Sequence, residues 1–341
     1  MILAGSAMLL RVRIEPARKG IAQSGQQGGA GSRRVYCGGV DAATKATART
    51  AAGPSPCPPA GARIHSRAGL DVLFWPALER AGLGAIVTTR RGGVSSGPYA
   101  SLNLGLHVGD GADLVLENRR RAAAVLGAAP GDVVWAAQPH GPVAAVVTAA
   151  DRGRGAFTGP GSGSGAGGRL AVPGADALVT TDPAAVLAIL VADCVPIVLH
   201  DPVARVLACV HAGWRGTVAR VTDAALAAMA SLGARPADVR AGLGPAIGPD
   251  RYQVGDDVAG PARETLGGDA DRVLRPDGTG RWLLDLPGAN ALLLAAAGVP
   301  AGQIYPAAER TGGDGPFFSH RDSLPGGRFA LLARLQPGRR Q

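Results

Sequence analysis

The cysteines and histidines of this 341-residue chain are the side chains best suited to metal binding or nucleophilic chemistry. Thiolate and imidazole groups bind zinc and copper, and they also form the pair found in cysteine nucleophiles. Cys37, Cys57, Cys194, Cys209, His65 and His200 belong to this set. Four further histidines lie in turn sequences rich in Gly, Pro and Arg, where side chains often face a cleft: His107, His140, His211 and His320. The presence of four such histidines indicates a functional site more strongly than any one of them does.

Cys194 and His211 are predicted to lie on one face of a β-hairpin that turns at Asp201-Pro202. A two-residue turn places Cys194 opposite Cys209, with His211 as its diagonal neighbour. A four-residue turn places Cys194 directly opposite His211. Both registers keep the two side chains within reach of a shared ion, because only a slip by one residue moves a side chain to the other face.

His140 follows a separate predicted strand and is the candidate for a third ligand. Two histidines and one cysteine leave a tetrahedral ion with an open position, which is the arrangement of catalytic zinc sites. Without a metal, Cys194 is a candidate thiolate nucleophile with His211 as its base. Cys194 is also the kind of thiol that simply packs in a core. Spacing alone leaves these three interpretations open.

Strands that alternate with a few helices must position these residues. The predicted helices are Asp113–Leu126, Val218–Leu232 and Gly288–Ala297, and the predicted strands include Ala85–Thr89, Ala175–Thr180, Ala185–Ala192, Pro196–His200 and Arg205–Val210. Strands in hairpins and strands beside helices together indicate an α/β (α+β) fold with a mixed sheet. The pattern does not fit a doubly wound dinucleotide-binding fold, and no internal repeat is present.

The net charge of +9 is concentrated at the N-terminus. Residues 1–70 contain ten basic and two acidic residues, so the remaining 271 residues are nearly neutral. Residues 1–68 lack a sustained hydrophobic period and are predicted to be a disordered leader, with a signal peptide, a transit peptide or a wrongly assigned translation start as alternatives. A near-neutral body argues against a nucleic-acid partner.

The hydrophobic content, 46%, is enough for a sizeable core, whereas 52 glycines and 26 prolines are too many for a helical bundle. No uninterrupted apolar run is long enough for a transmembrane helix, so a membrane partner is not expected. Sparse cysteines exclude a disulfide scaffold and favour a reducing, cytoplasmic location.

Nine motifs in order along the chain resemble one known family. They are 88–95 (TTRRGGVS), 97–110 (GPYASLNLGLHVGD), 117–120 (ENRR), 138–141 (QPHG), 175–179 (ADALV), 192–196 (ADCVP), 211–216 (HAGWRG), 244–248 (GPAIG) and 317–321 (FFSHR). The sequence is identified as similar to the YfiH-like family, whose members are labelled laccase-domain proteins, polyphenol oxidases or purine nucleoside phosphorylases. The resemblance covers about residues 69–337, and the domain is predicted to span residues 69–338.

The resemblance implies a single domain of mixed sheets sandwiched with helices. It maps the family's metal ligands and catalytic residues onto His140, Cys194 and His211, with Zn²⁺ as the expected ion and Cu²⁺ as the alternative. The implied substrates are purine nucleosides (adenosine, inosine and methylthioadenosine) and phosphate, with adenosine deamination as a second activity. The motif residues expected to bind substrate are Arg90, Asn103, Arg215, His320 and Arg321.

Phosphorolysis requires a cationic pocket, and the forked guanidinium of arginine suits bidentate phosphate recognition. Arg90, Arg215 and Arg321 lie in turn motifs suited to that task. Tyr99 and Trp214 are candidates for stacking on the base. No His-x-Glu motif of the zinc deaminases is present, which leaves Asp193 as the only named candidate for the proton carrier.

The sequence departs from the family pattern at three points. Pro139 replaces a valine next to His140. The stretch Tyr305–Arg310 lacks the family's usual cysteine, and Asp322 stands where a second arginine is expected. The lost cysteine bears on activity, and Asp322 bears on anion binding by that loop.

Three other functions stay open at this point. A cysteine hydrolase that edits peptidoglycan would use Cys194 as nucleophile. A copper-dependent polyphenol oxidase fits less well, because a blue-copper site commonly takes a weak axial methionine and the only methionines are Met1, Met8 and Met229. A binding protein without turnover is the third. The sequence does not predict the oligomeric state.

Overall fold

Two six-stranded mixed sheets form the centre of the fold in the computed structural model, which describes residues 61–157 and 168–337. Its strands are β1 (Arg63–Arg67), β2 (Leu70–Phe74), β3 (Leu83–Thr88), β4 (Val133–Trp135), β5 (Ala144–Val146), β6 (Ala177–Thr180), β7 (Val186–Val191), β8 (Val195–Asp201), β9 (Val206–Ala212), β10 (Arg240–Leu243), β11 (Ala246–Ile247), β12 (Gln253–Gly255), β13 (Leu274–Pro276), β14 (Arg281–Leu284), β15 (Ile304–Pro306), β16 (Arg310–Thr311) and β17 (Phe329–Leu335). Its α-helices are α1 (Pro76–Arg80), α2 (Ala112–Ala124), α3 (Trp214–Val218), α4 (Val221–Ser231), α5 (Asp256–Leu266) and α6 (Leu286–Ala296).

The two large sheets combine parallel and antiparallel pairs. The first has the strand order β1-β2-β3-β17-β7-β4, and the second has the order β15-β10-β8-β9-β6-β5. The pairs β4–β7, β5–β6 and β10–β15 are parallel, and the other pairs in these sheets are antiparallel. Smaller sheets of two and three strands, β11-β16 and β12-β14-β13, flank them.

The strands β7, β8 and β9 are buried along their whole length. Their near-continuous apolar sequences are typical of strands covered on both faces. One hydrophobic core lies between the sheets and includes Leu187, Leu207 and Phe329. A second core joins the outer face of the second sheet to α4, α5 and α6, and a third joins the first sheet to α2. The layers are therefore helix, sheet, sheet and helix.

This architecture confirms the predicted α/β fold with mixed sheets and helices, but several boundaries differ. The leader was predicted to extend to residue 68, yet β1 pairs with β2 over five residues. The rest of that leader, residues 1–60, lies outside the described residues. The predicted helix Val218–Leu232 corresponds to α4, which begins only at Val221, because Val218 ends the preceding helix α3 and Arg220 adopts a left-handed φ of 59°. None of the helices in the described ranges is long and apolar enough to cross a membrane.

Helix α5 has no counterpart among the predicted elements. It contains Gly260 and Pro261, which disfavour a helix interior, and proline at position 261 lies inside the observed helix. Its apolar stripe of Val258, Ala259 and Ala262 packs into the outer core. Burial of that stripe outweighs the unfavourable local propensity.

Candidate metal centre and its cavity

His140, Cys194 and His211 converge at one end of the central strands β8 and β9 of the second sheet. Their ligand atoms all lie within 4.8 Å of one another, and they form the group of three metal-ligating residues found among the described residues. The rings of His140 and His211 meet edge to face, with 4.7 Å between their centroids. His140 lies in the turn between β4 and β5, Cys194 lies between β7 and β8, and His211 lies near the end of β9. Three separate segments of the chain therefore supply one ligand each.

Asp176 joins two of these segments from beneath the site. Its fully buried carboxylate lies 2.9 Å from Nδ1 of His211 and accepts hydrogen bonds from the backbone N–H groups of His140 (3.0 Å) and Gly141 (2.7 Å). Because a carboxylate accepts and does not donate, Nδ1 of His211 carries the proton. The other ring nitrogen, Nε2, is then left free to bind an ion, as in carboxylate–histidine–metal arrangements.

Two residues of the His140 turn adopt a left-handed backbone conformation, which non-glycine residues rarely do outside functional sites. The φ angles are 57° for Gln138 and 67° for His140. The amide side chain of Gln138 fixes the turn by donating to the carbonyl of Leu190 (2.6 Å) and accepting from its N–H (2.8 Å). The turn that carries His140 is therefore anchored to β7 and to Asp176.

The segment before Cys194 is held in a comparable way. Asp193 has a φ of 84°, and its carboxylate accepts from the hydroxyl of Thr311 (2.5 Å) and from the N–H of Arg321 (2.7 Å). Thr311 belongs to β16, just beyond the stretch that lacks the family's usual cysteine. With both oxygens accepting hydrogen bonds, Asp193 serves to position its neighbour Cys194, and it does not line the cavity described below.

Gly213 passes so close to the site that a larger residue would force its neighbours to shift. A Cβ atom at this position would lie 2.9 Å from Sγ of Cys194 and 3.2 Å from Cδ2 of His140. Gly213 directly precedes α3. The missing side chain is what allows the start of this helix to approach the two ligands.

The electrostatics of the trio favour a charged thiolate. Burial by itself raises the pKa of Cys194, but the nearby charge of His211 and hydrogen bonds from both histidines outweigh it, so the pKa lies below its ordinary value. Burial lowers the pKa of His211, whereas the charge of Cys194 and the hydrogen bond to Asp176 raise it above its ordinary value overall. A thiolate beside imidazole is a metal-ligand set and equally a nucleophile–base pair.

The hairpin register differs from both predicted registers. Asp201 pairs with Val206 and Pro196 pairs with His211, so the four-residue turn runs from 202 to 205. The prediction started the turn too early, because Asp201 continues the strand and its carboxylate caps the turn at the N–H groups of Val203 and Ala204. The predicted registers differ from the observed one by an even number of residues, so Cys194 and His211 still lie on the same face of the hairpin.

The trio opens into a cavity of about 440 Å³. This volume lies within the roughly 300–1,000 Å³ of small-molecule sites. One wall is apolar and includes Trp135, Leu190 and Val191. The polar part of the lining, beyond the trio and Gln138, consists of His107, His320, Arg119 and Arg328.

Two of these, Arg119 and Arg328, were not predicted as site residues. The helical pattern placed Arg119 among the polar positions of α2, yet the residue is only 3% exposed. Its guanidinium carbon stacks on Trp135, 4.1 Å from the centroid of the indole ring. Arg328 directly precedes β17. No motif includes Arg328, and the period of a helix does not show which of three consecutive arginines turns inward.

Of the predicted substrate ligands, His320 lines the cavity, and the other four lie outside its lining. Asn103 is buried and bonds to Gly105, Asp110 and the N–H of Arg328. The guanidinium of Arg90 donates to the carbonyl of Ala100 and stacks on Phe318. Arg215 stacks on Trp214, and Arg321 faces Tyr252.

The two predicted stacking residues also lie outside the cavity lining. Tyr99 donates its hydroxyl hydrogen to the carbonyl of Val108, and Trp214 packs against the outer core. Asp322, which replaces an expected arginine, forms an ion pair with Arg251 at 2.8 Å. The cationic side chains in the lining of this cavity are those of Arg119 and Arg328.

Known proteins resemble this chain along most of its length. Residues 84–336 match the family described as "Multi-copper polyphenol oxidoreductase laccase". The purine nucleoside phosphorylase YlmD of Geobacillus stearothermophilus is 41% identical over 245 residues, which is 71% of this chain and 85% of the relative. A purine nucleoside phosphorylase of Deinococcus radiodurans is 42% identical over 234 residues, 69% of this chain and 81% of the relative.

Solved structures show the same fold. The crystal structure of YlmD from Geobacillus stearothermophilus has a TM-score of 0.74 at 38% identity, covering 80% of this chain and 99% of that one. The Bacillus licheniformis protein YfiH has a TM-score of 0.73 at 34% identity, with 80% and 99% coverage. Because the family match spans more than half of the chain and these relatives match along most of their own length, the chain belongs to this laccase-labelled, YfiH-like family.

Proposed function

We propose that the chain is a zinc-dependent purine nucleoside phosphorylase that acts on adenosine, inosine and methylthioadenosine and that also deaminates adenosine. The observation that carries the proposal is the convergence of His140, Cys194 and His211 on a cavity of small-molecule size. The names of the relatives, which are purine nucleoside phosphorylases, supply the reaction class.

The donor set fits zinc better than a copper oxidase centre. Two imidazoles and one thiolate are ordinary zinc ligands, and three protein ligands leave a position open for chemistry. A blue-copper centre would add a weak axial ligand, commonly methionine. In the described residues Met229 is packed inside α4, and one group of three ligating residues is found where a multicopper oxidase would need several.

Zinc held by this trio would supply Lewis acidity toward the substrate. The chain's own residues do the positioning. Asp176 holds His211 by its ring nitrogen and the His140 turn by its backbone. Gln138 fixes the same turn to β7, and the apolar wall beside Leu190 excludes water from the bound nucleoside. Such fixed surroundings are what a reacting geometry needs.

Phosphorolysis breaks the bond between the purine nitrogen and C1′ of the ribose, and a phosphate oxygen forms the new bond to C1′. The bonding electron pair leaves with the purine, which then takes up a proton. Deamination replaces the C6 amino group of adenosine with oxygen from water and releases ammonia, which also requires a proton. Among the described lining residues no carboxylate is present, and beyond the trio the imidazoles are those of His107 and His320. We assign the proton transfers to this pair.

The test is turnover by the full chain reconstituted with zinc. Inosine and phosphate should give hypoxanthine and ribose 1-phosphate, and adenosine in the absence of phosphate should give inosine and ammonia. Chelation should abolish both reactions, and zinc should restore them. A protein that binds one equivalent of zinc and catalyses neither reaction would refute the proposal.

A cysteine hydrolase acting on cell-wall peptide precursors is the second candidate, because one observation favours it. Without a metal, Cys194, His211 and Asp176 are arranged as nucleophile, base and orienting carboxylate. This function predicts activity that survives chelation and is lost on alkylation of Cys194. Activity that disappears with the metal would eliminate it.

A further inference from the structure

We infer that Arg119, Arg328, His107 and His320 form an anion subsite in the same cavity, and that this subsite binds the phosphate co-substrate. The inference rests on the proposed phosphorylase function for the identity of the anion. The four side chains all line the cavity that holds the His140–Cys194–His211 trio. They replace Arg90, Arg215 and Arg321, which lie outside its lining.

Arg119 is a buried cation without a counter-ion. Its Nε donates to the carbonyl of Leu104 (2.9 Å), and its Nη1 donates to the carbonyls of Gly155 (2.5 Å) and Ala156 (3.0 Å). No carboxylate pairs with it in the described part of the chain, and its Nη2 has no acceptor there. Burial lowers the pKa of Arg119 to about 9. A buried charge is costly unless it is paired, so an anion at Nη2 would supply the missing partner.

Arg328 is the second cation of the cavity, and among the described residues it forms no salt bridge, although the charge of the Asp193 carboxylate acts on it. Its Nη1 donates to the carbonyls of Gly326 and Gly327, both at 3.0 Å, and this fixes the direction of the guanidinium. Its Nη2 lies 3.3 Å from Nδ1 of His320. Because guanidinium only donates, Nδ1 of His320 accepts, and the imidazole proton lies on Nε2, where it is free to donate to a ligand.

Both arginines act electrostatically on His107. Partial burial lowers the pKa of His107, and the positive charges of Arg328 and Arg119 lower it further. The pKa of His320 is lowered by burial first and then by Arg328. The four side chains therefore lie in one region of positive potential. Two guanidinium groups match the charge of a phosphate dianion, and together with two imidazole N–H groups they can donate hydrogen bonds to its tetrahedral oxygens.

The subsite also lies close to the reacting region. Arg328 and Cys194 line the same cavity, and the charges of Asp193 first and Cys194 second oppose the lowering of the pKa of Arg328 by burial. The apolar wall, with Leu190 and Val191, faces the same space. A nucleoside held between the trio and this wall would therefore place its ribose next to a phosphate bound at Arg328, as attack on C1′ requires.

The experiment measures inorganic phosphate alone, with the full zinc-loaded chain, by calorimetry or by ³¹P line broadening. Arg328→Gln is the test variant, and Arg334→Gln is its matched control, because Arg334 lies on β17 and bonds to carbonyls of Leu126 and Pro183 away from the cavity. Arg328→Gln should weaken phosphate binding roughly 10- to 100-fold, the typical range for losing a charge-assisted contact. Arg334→Gln should bind phosphate as the wild type does.

Kinetics separate this inference from the proposed function. Arg328→Gln should raise the KM for phosphate by the same factor and leave the KM for inosine nearly unchanged, and Arg328→Lys should recover part of the loss. If Arg328→Gln fails to fold, Arg328→Lys gives the same kinetic readout on a milder scale, and His320→Ala is compared only by phosphate binding in the absence of nucleoside. Unchanged phosphate affinity in these variants, or a wild type that binds no phosphate, overturns the subsite. A wild type that binds phosphate through Arg328 but does not cleave nucleosides upholds the subsite and refutes the phosphorylase function.

Discussion

At the scale of single residues, the two cysteines of the described chain differ in environment. Cys194 is partly exposed at the cavity and its thiolate is stabilised by histidine, whereas Cys209 is fully buried and burial raises its pKa. Thiolates bind metals and react with alkylating agents, and buried neutral thiols do neither. The pair therefore offers a test variant and a matched control 15 residues apart in sequence.

Replacing Cys194 with alanine should abolish stoichiometric zinc binding and reduce nucleoside turnover at least 100-fold, because one of three protein ligands is lost. Replacing Cys209 with alanine should leave the zinc content at one equivalent and cost only stability. Metal analysis by mass spectrometry and a turnover assay on both proteins check this. Equal zinc content in Cys194→Ala and the wild type would remove the cysteine from the ligand set.

Asp176 shows how a residue that touches no substrate can set the metal affinity. Replacing it with asparagine should weaken zinc binding about 10- to 100-fold, the usual effect of losing the carboxylate behind a ligating histidine. Asp182→Asn is the matched control, because Asp182 also accepts from backbone N–H groups, those of Ala149 and Ala184, but contacts no histidine. Competition with a chromophoric chelator measures both affinities. Equal affinities in the two variants would show that Asp176 only maintains the fold.

The residue scale also shows what the sequence could predict. His140, Cys194 and His211 were candidates because of their residue types and their turn sequences, and because Cys194 and His211 fall on the same face of a hairpin. That last inference survives any register error of an even number of residues. Arg119 and Arg328 were missed because their significance comes from burial without a carboxylate, which only tertiary packing creates. Of the predicted substrate ligands, Arg90 was expected in the site because its turn looked suitable, but its guanidinium faces Phe318.

At the scale of elements, the approach of α3 to Cys194 and His140 depends on Gly213. Alanine at this position would place a methyl group against Sγ of Cys194 and the ring of His140. We expect Gly213→Ala to reduce zinc affinity and to lower the free energy of unfolding by about 1–3 kcal/mol, as overpacking does. Gly260→Ala in α5 meets open space and should stabilise the protein by about 0.5–1 kcal/mol. Urea unfolding and zinc titration of both variants decide, and normal zinc affinity in Gly213→Ala would contradict the argument.

Strand β8 carries a buried histidine that should make stability depend on pH. Burial lowers the pKa of His200 from 6.5 to about 4, with the charge of Asp201 opposing and those of Arg205 and Arg240 assisting. Its Nδ1 is buried and has no hydrogen-bond partner in the described structure. Between pH 6.5 and 4 the unfolded chain therefore binds more protons than the folded chain, so stability is lost as the pH falls through this window.

The expected loss from this one group is on the order of 3 kcal/mol at pH 4. His200→Leu should remove that part of the slope, and His65→Leu on the exposed strand β1 should keep it. Urea unfolding between pH 7.5 and 4.5 measures the slope of the free energy of unfolding against pH. Metal-free protein is used for every variant, so that His140, Cys194 and His211 contribute equally to each slope. Identical slopes in the wild type and His200→Leu would contradict the assignment.

Elements were predicted best where their apolar pattern was strong. The buried strands β7, β8 and β9 and the helices α2 and α6 were placed within a few residues. Strand β1 was missed because its side chains are mostly exposed and carry almost no hydrophobic period. Its order comes from backbone pairing with β2. Helix α5 was missed because Pro261 obscures its amphipathic stripe, and in both cases the decisive contacts are long-range.

At the scale of the whole molecule, the positive charge of the sequence is concentrated before the first described residue. Residues 1–60 hold eight basic and two acidic side chains, so without them the formal charge is +3 in place of +9. The site, its cavity and both large sheets are built from residues after 62. A chain of residues 61–341 should therefore keep the zinc content and turnover of the full chain.

A chain of residues 69–341, by contrast, lacks β1 and should be less stable. Arg67 donates to both carboxylate oxygens of Glu79 at 2.8 and 3.2 Å and stacks on Phe74 at 3.8 Å, and all five residues of β1 pair with β2. At roughly 0.2–1 kcal/mol for each cross-strand pair, we expect a loss of about 1–3 kcal/mol. Removing β1 also makes β2 an open edge, which favours aggregation. Thermal unfolding and light scattering on both shortened chains test this. Equal Tm values would show that β1 contributes nothing, whereas loss of turnover in the 61–341 chain would show that the first sixty residues take part in function.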